Sequence, residues 1–140
     1  MMVEIISCLL VVLFVYAAVS KLMDMEQFGI QLGQSPLVTS FSNVLIVAVP
    51  AVEIITAICL AVPAFRLIGL YAGFSLMALF TFYIVAILHL DSNIPCSCGG
   101  ILEAMGWREH LIFNIIFSLI ALTGVLVHPV RTEALFKSGK

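Results

Sequence analysis

A chain of 140 residues that is 63% hydrophobic, 10% charged and of mean hydropathy +1.23 departs far from the balance of water-soluble domains. Those run at about 45–50% apolar and about 25% charged, so the composition excludes a soluble globular enzyme and demands a lipid bilayer as partner. A net charge of −2 without a basic patch excludes nucleic acid.

The length accommodates about four membrane spans with short loops, in one membrane domain covering 1–140. The first apolar run, about 4–20, ends in small residues as a signal peptide can. Its leading Met-Met-Val-Glu lacks a basic stretch, so a retained first helix is expected. Lys21 closes this run, where a lysine can snorkel to the headgroups. From Lys21 to Asn43, polar residues (Asp24, Glu26, Gln27, Gln31) alternate with Met25, Phe28 and Ile30. That mixture predicts an interfacial amphipathic helix stopped by Ser35-Pro36.

The second span, about 44–62, opens with the capping residues Ser42 and Asn43 and carries Pro50, which removes a backbone hydrogen bond and is expected to kink it. Glu53 falls near mid-bilayer. A carboxylate there is costly, so it either lines a functional pocket or is a neutral, protonated acid hydrogen-bonded across helices. After the turn 63–66, the third span, about 67–90, contains Gly69 and Gly73, a small-xxx-small spacing that permits close helix approach and leaves an oligomer open. The fourth span is about 110–128, followed by a tail containing Arg131, Lys137 and Lys140.

Between the third and fourth spans lies the chain's most chemical stretch, His89-Leu-Asp-Ser-Asn-Ile-Pro-Cys96-Ser-Cys98-Gly-Gly100, followed by Trp107, His110 and Asn114. Cys96 and Cys98 can close a small, exchange-prone disulfide ring. They could instead give two soft ligands to Zn or Cu(I), or be unrelated loop thiols. No metal site is assigned. A thiolate needs a group that lowers its pKa, and His89 and His110 end and begin the flanking spans. His110 and Asn114, four residues apart, share a helix face and form a polar notch. His128, about 27 Å from His110 along a helix, is too distant to contribute. Trp107 suits an interfacial aromatic belt. Cys8 and Cys59, inside apolar runs, read as small hydrophobes.

Four spans put both termini on one side. That side and the 62–66 turn hold Arg66, Arg131, Lys137 and Lys140, against Lys21 and Arg108 opposite. The positive-inside rule then expects cytoplasmic termini in the inner membrane, with the Cys-x-Cys segment on the outer or periplasmic face, where disulfides persist.

Tyr16-Ala-Ala-Val-Ser-Lys21-Leu-Met-Asp24, Phe28, Gln34-Ser-Pro36, Pro50, Glu53, Cys96-Ser-Cys98-Gly-Gly100, Trp107 and Asn114 together resemble the DoxX-like superfamily. Within it the chain looks most like the MauE branch of methylamine-utilisation membrane proteins. The resemblance implies an all-α four-helix membrane bundle that supports disulfide formation or maturation of exported proteins, often beside a thioredoxin-like partner. By looser analogy, DsbB and vitamin K epoxide reductase use four-helix bundles to pass electrons from thiols to quinone. This chain departs from them in having no second cysteine pair in 21–43, so electrons from Cys96/Cys98 would pass directly to a partner protein or a quinone-like acceptor. The expectation is a thiol–disulfide redox protein with Cys96, Cys98, His110 and His89 at the chemistry and Glu53, Asn114, Lys21 and Trp107 around a pocket. The alternatives are a non-catalytic scaffold subunit of a larger complex and a metal-binding loop protein.

Overall fold

A computed structural model of the chain describes residues 1–34, 38–90 and 106–138. Within these, the secondary structure is helical throughout. In lipid no water satisfies an open backbone, so apolar runs of this length fold as helices that close their own hydrogen bonds. The elements are α1 (Met2–Met23), α2 (Met25–Gln34), a 3₁₀ turn (Thr39–Phe41), α3 (Ser42–Ala61), a second 3₁₀ turn (Pro63–Phe65), α4 (Arg66–Leu90) and α5 (Trp107–Ser138). Among the described residues, four stretches are long and apolar enough to cross a membrane: Met2–Met23, Thr39–Ala61, Pro63–His89 and Arg108–His128. The chain is an all-α, multi-pass membrane protein.

The helix boundaries have local causes. Asp24 leaves helical geometry at φ −133°, ψ 65°, ending α1. Its Oδ1 accepts from the backbone N–H of Gln27 at 3.1 Å, capping the start of α2. At ten residues, α2 is about 15 Å long, too short to span. The chain turns extended at Val62 (ψ 117°), ending α3, and Pro63 opens the next turn. Arg66 Nε donates at 3.4 Å to the Leu60 carbonyl, one of the last carbonyls of α3. Pro50 lies buried inside α3, which continues through it as one helix. Beyond the fourth span, α5 runs on to Ser138, so the segment read as a tail continues the helix.

α1 packs on α3 and α5, and α4 packs on the same two, so the spans form a ring in the order α1, α3, α4, α5, with α1 and α4 diagonal. The inward residues of α1 are Val3, Ile6, Ser7, Leu10, Phe14 and Ala18; those of α3 are Pro50, Glu53, Thr56, Ala57 and Leu60. Each set recurs at helical spacing and marks one face of its helix. Lys21, three residues after Ala18, continues the first set, and Glu53 is a member of the second.

Glycines set how closely α4 approaches. A Cβ at Gly69 would stand 2.7 Å from the Leu60 nitrogen and 2.9 Å from the Cys59 carbonyl carbon, both backbone atoms of α3. At Gly73 it would meet Phe14 at 3.2 Å and Thr56 at 3.8 Å. The glycine pair is therefore used inside the chain, to bring α4 against α3. Gly69→Ala must move one backbone, and over-packing of this kind costs about 1–3 kcal/mol. We expect Gly69→Ala to lower the unfolding midpoint in detergent clearly. Gly33→Ala on α2, with open space around its Cβ, should be neutral or slightly stabilising. Equal midpoints for the two variants would refute the backbone contact.

Candidate functional site

The polar groups of the bundle gather towards the end at which α1 finishes and α5 begins. Side chains on a helix lean towards its N-terminus, so Lys21, in the last turn of α1, bends back into the bundle. Its Nζ donates to Glu53 Oε1 at 2.8 Å and to the Ala17 carbonyl at 3.4 Å. The Lys21 side chain is 10% exposed and that of Glu53 0%, so the pair is buried. Lys21 is thus drawn inwards beside Glu53 instead of snorkelling to the headgroups. The Nζ also lies 5.9 Å from the centre of the Phe28 ring on α2 and 5.8 Å from that of Phe80 on α4, within cation–π range. Four helices therefore supply groups to one ammonium.

The second carboxylate oxygen, Glu53 Oε2, is buried and has no hydrogen-bond partner among the described residues. One turn deeper, Thr56 is buried on the same face. Burying a lone charge costs several kcal/mol, and the pair recovers this only through its mutual attraction in a low dielectric.

α5 contributes His110 and Asn114, both buried, with Asn114 Nδ2 donating to the His110 carbonyl at 3.2 Å. Their depth follows from two packing contacts. A Cβ on Gly124 would meet Ile6 at 3.0 Å, which sets α5 level with α1 there. Asn114 lies about 15 Å further along, level with Tyr16 and Ala17. Gly73 sets Phe14 level with Thr56, and Glu53 lies about 4.5 Å beyond, again at Ala17. The ion pair and Asn114 thus share one layer of the bundle, with His110 one turn nearer the surface.

Other residues singled out from the sequence fall elsewhere. His89 is exposed at the end of α4, apart from the buried His110. Trp107 opens α5, but its side chain is not among those described, and Cys96 and Cys98 lie outside the described residues. Cys8 is exposed and Cys59 half-buried, and neither is in a disulfide. Among the described residues, no group of three or more His, Cys, Asp or Glu could hold a metal. Sequence reasoning gave Phe80 no part, and it did not pair Lys21 with Glu53. A signal for the pairing existed: Lys21 is the lone cation of α1 and Glu53 the lone acid of α3.

Removing one partner of a buried pair typically costs about 3–5 kcal/mol, while removing both charges costs far less. Lys21→Met should therefore destabilise the bundle strongly, and adding Glu53→Gln should restore most of the loss. Denaturation in mixed micelles measures this as a double-mutant cycle, with a coupling of about 2 kcal/mol or more expected. Simple additivity would mean that the two side chains do not stabilise each other.

Comparison with known families places this arrangement. No curated protein and no solved structure matches the chain. The family of methylamine utilisation protein MauE matches residues 1–127, nearly the whole chain and all four membrane-crossing stretches except the last residue of the fourth. With its four apolar helices and a polar layer built around Lys21 and Glu53, the chain belongs to the MauE family of membrane proteins.

Proposed function

We propose that the chain is a thiol–disulfide redox protein of the inner membrane, supporting disulfide formation or maturation of exported proteins in methylamine utilisation. Cys96 and Cys98 are the working pair. The observation that carries the reading is the buried polar layer at one end of the bundle, Lys21–Glu53 with Asn114 and His110. The chain that joins α4 to α5, and holds both cysteines, leaves and re-enters the bundle at this same end. Placing the family within the DoxX-like superfamily, from the Ser20-Lys21…Asp24 and Pro50…Glu53 elements, belongs to the same proposal.

In this reading the Cys96–Cys98 disulfide takes two electrons from a partner dithiol. A partner thiolate attacks one sulfur, a mixed disulfide forms, and the partner's second thiol displaces it, leaving Cys96 and Cys98 reduced. The partner is a thioredoxin-like or other exported thiol protein. Reoxidation passes the electrons to a second protein or to a quinone. His110, buried at the start of α5, is the base nearest in sequence to Gly100 within the bundle, and His89, exposed at the end of α4, is the alternative.

The orientation follows from charge. With Lys21 neutralised by Glu53 inside the bundle, only Arg108 remains as a basic residue on the cysteine side, against Arg66, Arg131, Lys137 and Lys140. This favours cytoplasmic termini and a periplasmic cysteine segment. The Lys21–Glu53 brace equally suits a second reading, a scaffold subunit whose cysteines form a static bond.

After reduction, Cys96 and Cys98 should react with a membrane-impermeant maleimide added to intact cells. Labelling only after the inner membrane is breached would put the segment in the cytoplasm and end the oxidative reading. Either Cys96→Ala or Cys98→Ala, but not both, should trap a dithiothreitol-sensitive adduct with an exported protein, Cys96 being the sulfur expected to bond to the partner. A static brace would give no adduct from either variant. A metal clip would show stoichiometric Zn or Cu that is lost with either cysteine.

A further inference from the structure

We propose that the Glu53 carboxylate, the Ala17 carbonyl and the Phe28 and Phe80 rings form a binding site for a small primary alkylammonium ion, with Lys21 as its displaceable resident. The argument is independent of the thiol chemistry. The end of a lysine side chain is a –CH₂–NH₃⁺ group, which is methylammonium on a tether. Here that group is held by an anion at 2.8 Å, a carbonyl at 3.4 Å and two aromatic rings at 5.8 and 5.9 Å from their centres. A carboxylate, a carbonyl oxygen and ring faces are also the groups that recognise a free ammonium ion in a desolvated site.

Two observations make Lys21 a displaceable occupant. Lys21 leaves Glu53 Oε2 buried without a hydrogen-bond partner among the described residues. A lysine ammonium and a free alkylammonium carry the same three N–H groups, but the tether fixes where Nζ can sit, whereas a free ion can place its nitrogen to serve both carboxylate oxygens. An unfilled buried acceptor costs about 1–3 kcal/mol, and the free ion recovers it. Secondly, Lys21 sits in the last turn of α1, two residues before Met23, and its side chain retains 10% exposure. Its four-carbon stem can therefore swing to the headgroup layer. The charge count is unchanged by the exchange, since one cation replaces another beside Glu53. The rings set the size limit: Phe28 and Phe80 already flank a –CH₂–NH₃⁺ group, so methylammonium fits and a quaternary ammonium, with no N–H to donate, does not.

The test uses the whole chain in lipid nanodiscs, with methylammonium chloride as the probe. Saturation-transfer NMR reads contact with the probe's methyl protons, and tetramethylammonium at equal ionic strength serves as control. We expect transfer to methylammonium with the wild-type chain, little or none to tetramethylammonium, and loss of the signal in Glu53→Gln. Lys21→Ala, which removes the internal competitor, should bind the probe at least about tenfold more tightly. The proposal is overturned by absence of transfer with the wild type, by equal transfer to tetramethylammonium, or by a signal that persists in Glu53→Gln. If either single variant does not fold, the wild-type selectivity and the double variant Lys21→Met/Glu53→Gln, which keeps the bundle and should give no signal, decide the matter; a signal that persists in the double variant overturns the proposal.

Discussion

A cation and an anion that are both costly in hydrocarbon can share a bundle interior only if they meet, and the meeting of Lys21 with Glu53 at 2.8 Å fixes much of this structure. Lys21 inward means that Ala18, Phe14, Leu10, Ser7 and Val3 are inward too, since they share its seam. Glu53 does the same for Pro50, Ala57 and Leu60 on α3. Apolar packing alone specifies helix rotation weakly here. Lipid tails are as apolar as leucine, so turning a helix by a third of a revolution exchanges one greasy contact for another. The ion pair removes that freedom for α1 and α3. The ring contacts to Phe28 and Phe80 extend the constraint to α2 and α4.

The second constraint is steric. Gly69 and Gly73 let α4 settle against α3, Leu60 and Phe14, and Gly124 accommodates Leu70 and Ile6. These contacts lie in the half of the bundle away from the polar layer, among Leu10, Leu60, Leu70 and Val125. The molecule thus has a close-packed apolar half and a half organised by charge and hydrogen bonds. The second half holds the buried ion pair, and Asp24, by ending α1 and capping α2, brings Phe28 over it.

The spans were legible because hydropathy reports them directly, and α2 because its polar and apolar residues alternate before Ser35-Pro36. The continuation of α5 was not, because Pro129 and Arg131 carry the usual marks of a helix end. The inward facing of His110 and the outward facing of His89 were equally hidden. In helices apolar on all sides there is no periodic contrast to show which face is inside, so a polar residue's orientation depends on neighbours that pattern does not reveal. Lys21 and Glu53 were both read as pocket residues, but their direct pairing was not legible, because they lie 32 residues apart and a lysine at a span end can equally reach the headgroups. The cysteines that dominate the sequence lie outside the described residues, and the polar layer of Lys21, Glu53, His110 and Asn114 is what the structure adds.

The pairing also dictates an order of events during synthesis. Lys21 emerges with the first hydrophobic segment, and its carboxylate partner follows 32 residues later. Until α3 enters the bilayer, α1 has an unneutralised ammonium near its trailing end, which the headgroup layer can accommodate at the cost of a shallower position. Glu53 then gives that ammonium its partner, and α1 and α3 pack together. The first helical hairpin is therefore locked by charge before Gly69 and Gly73 reach the membrane, so α4 docks on a surface already formed.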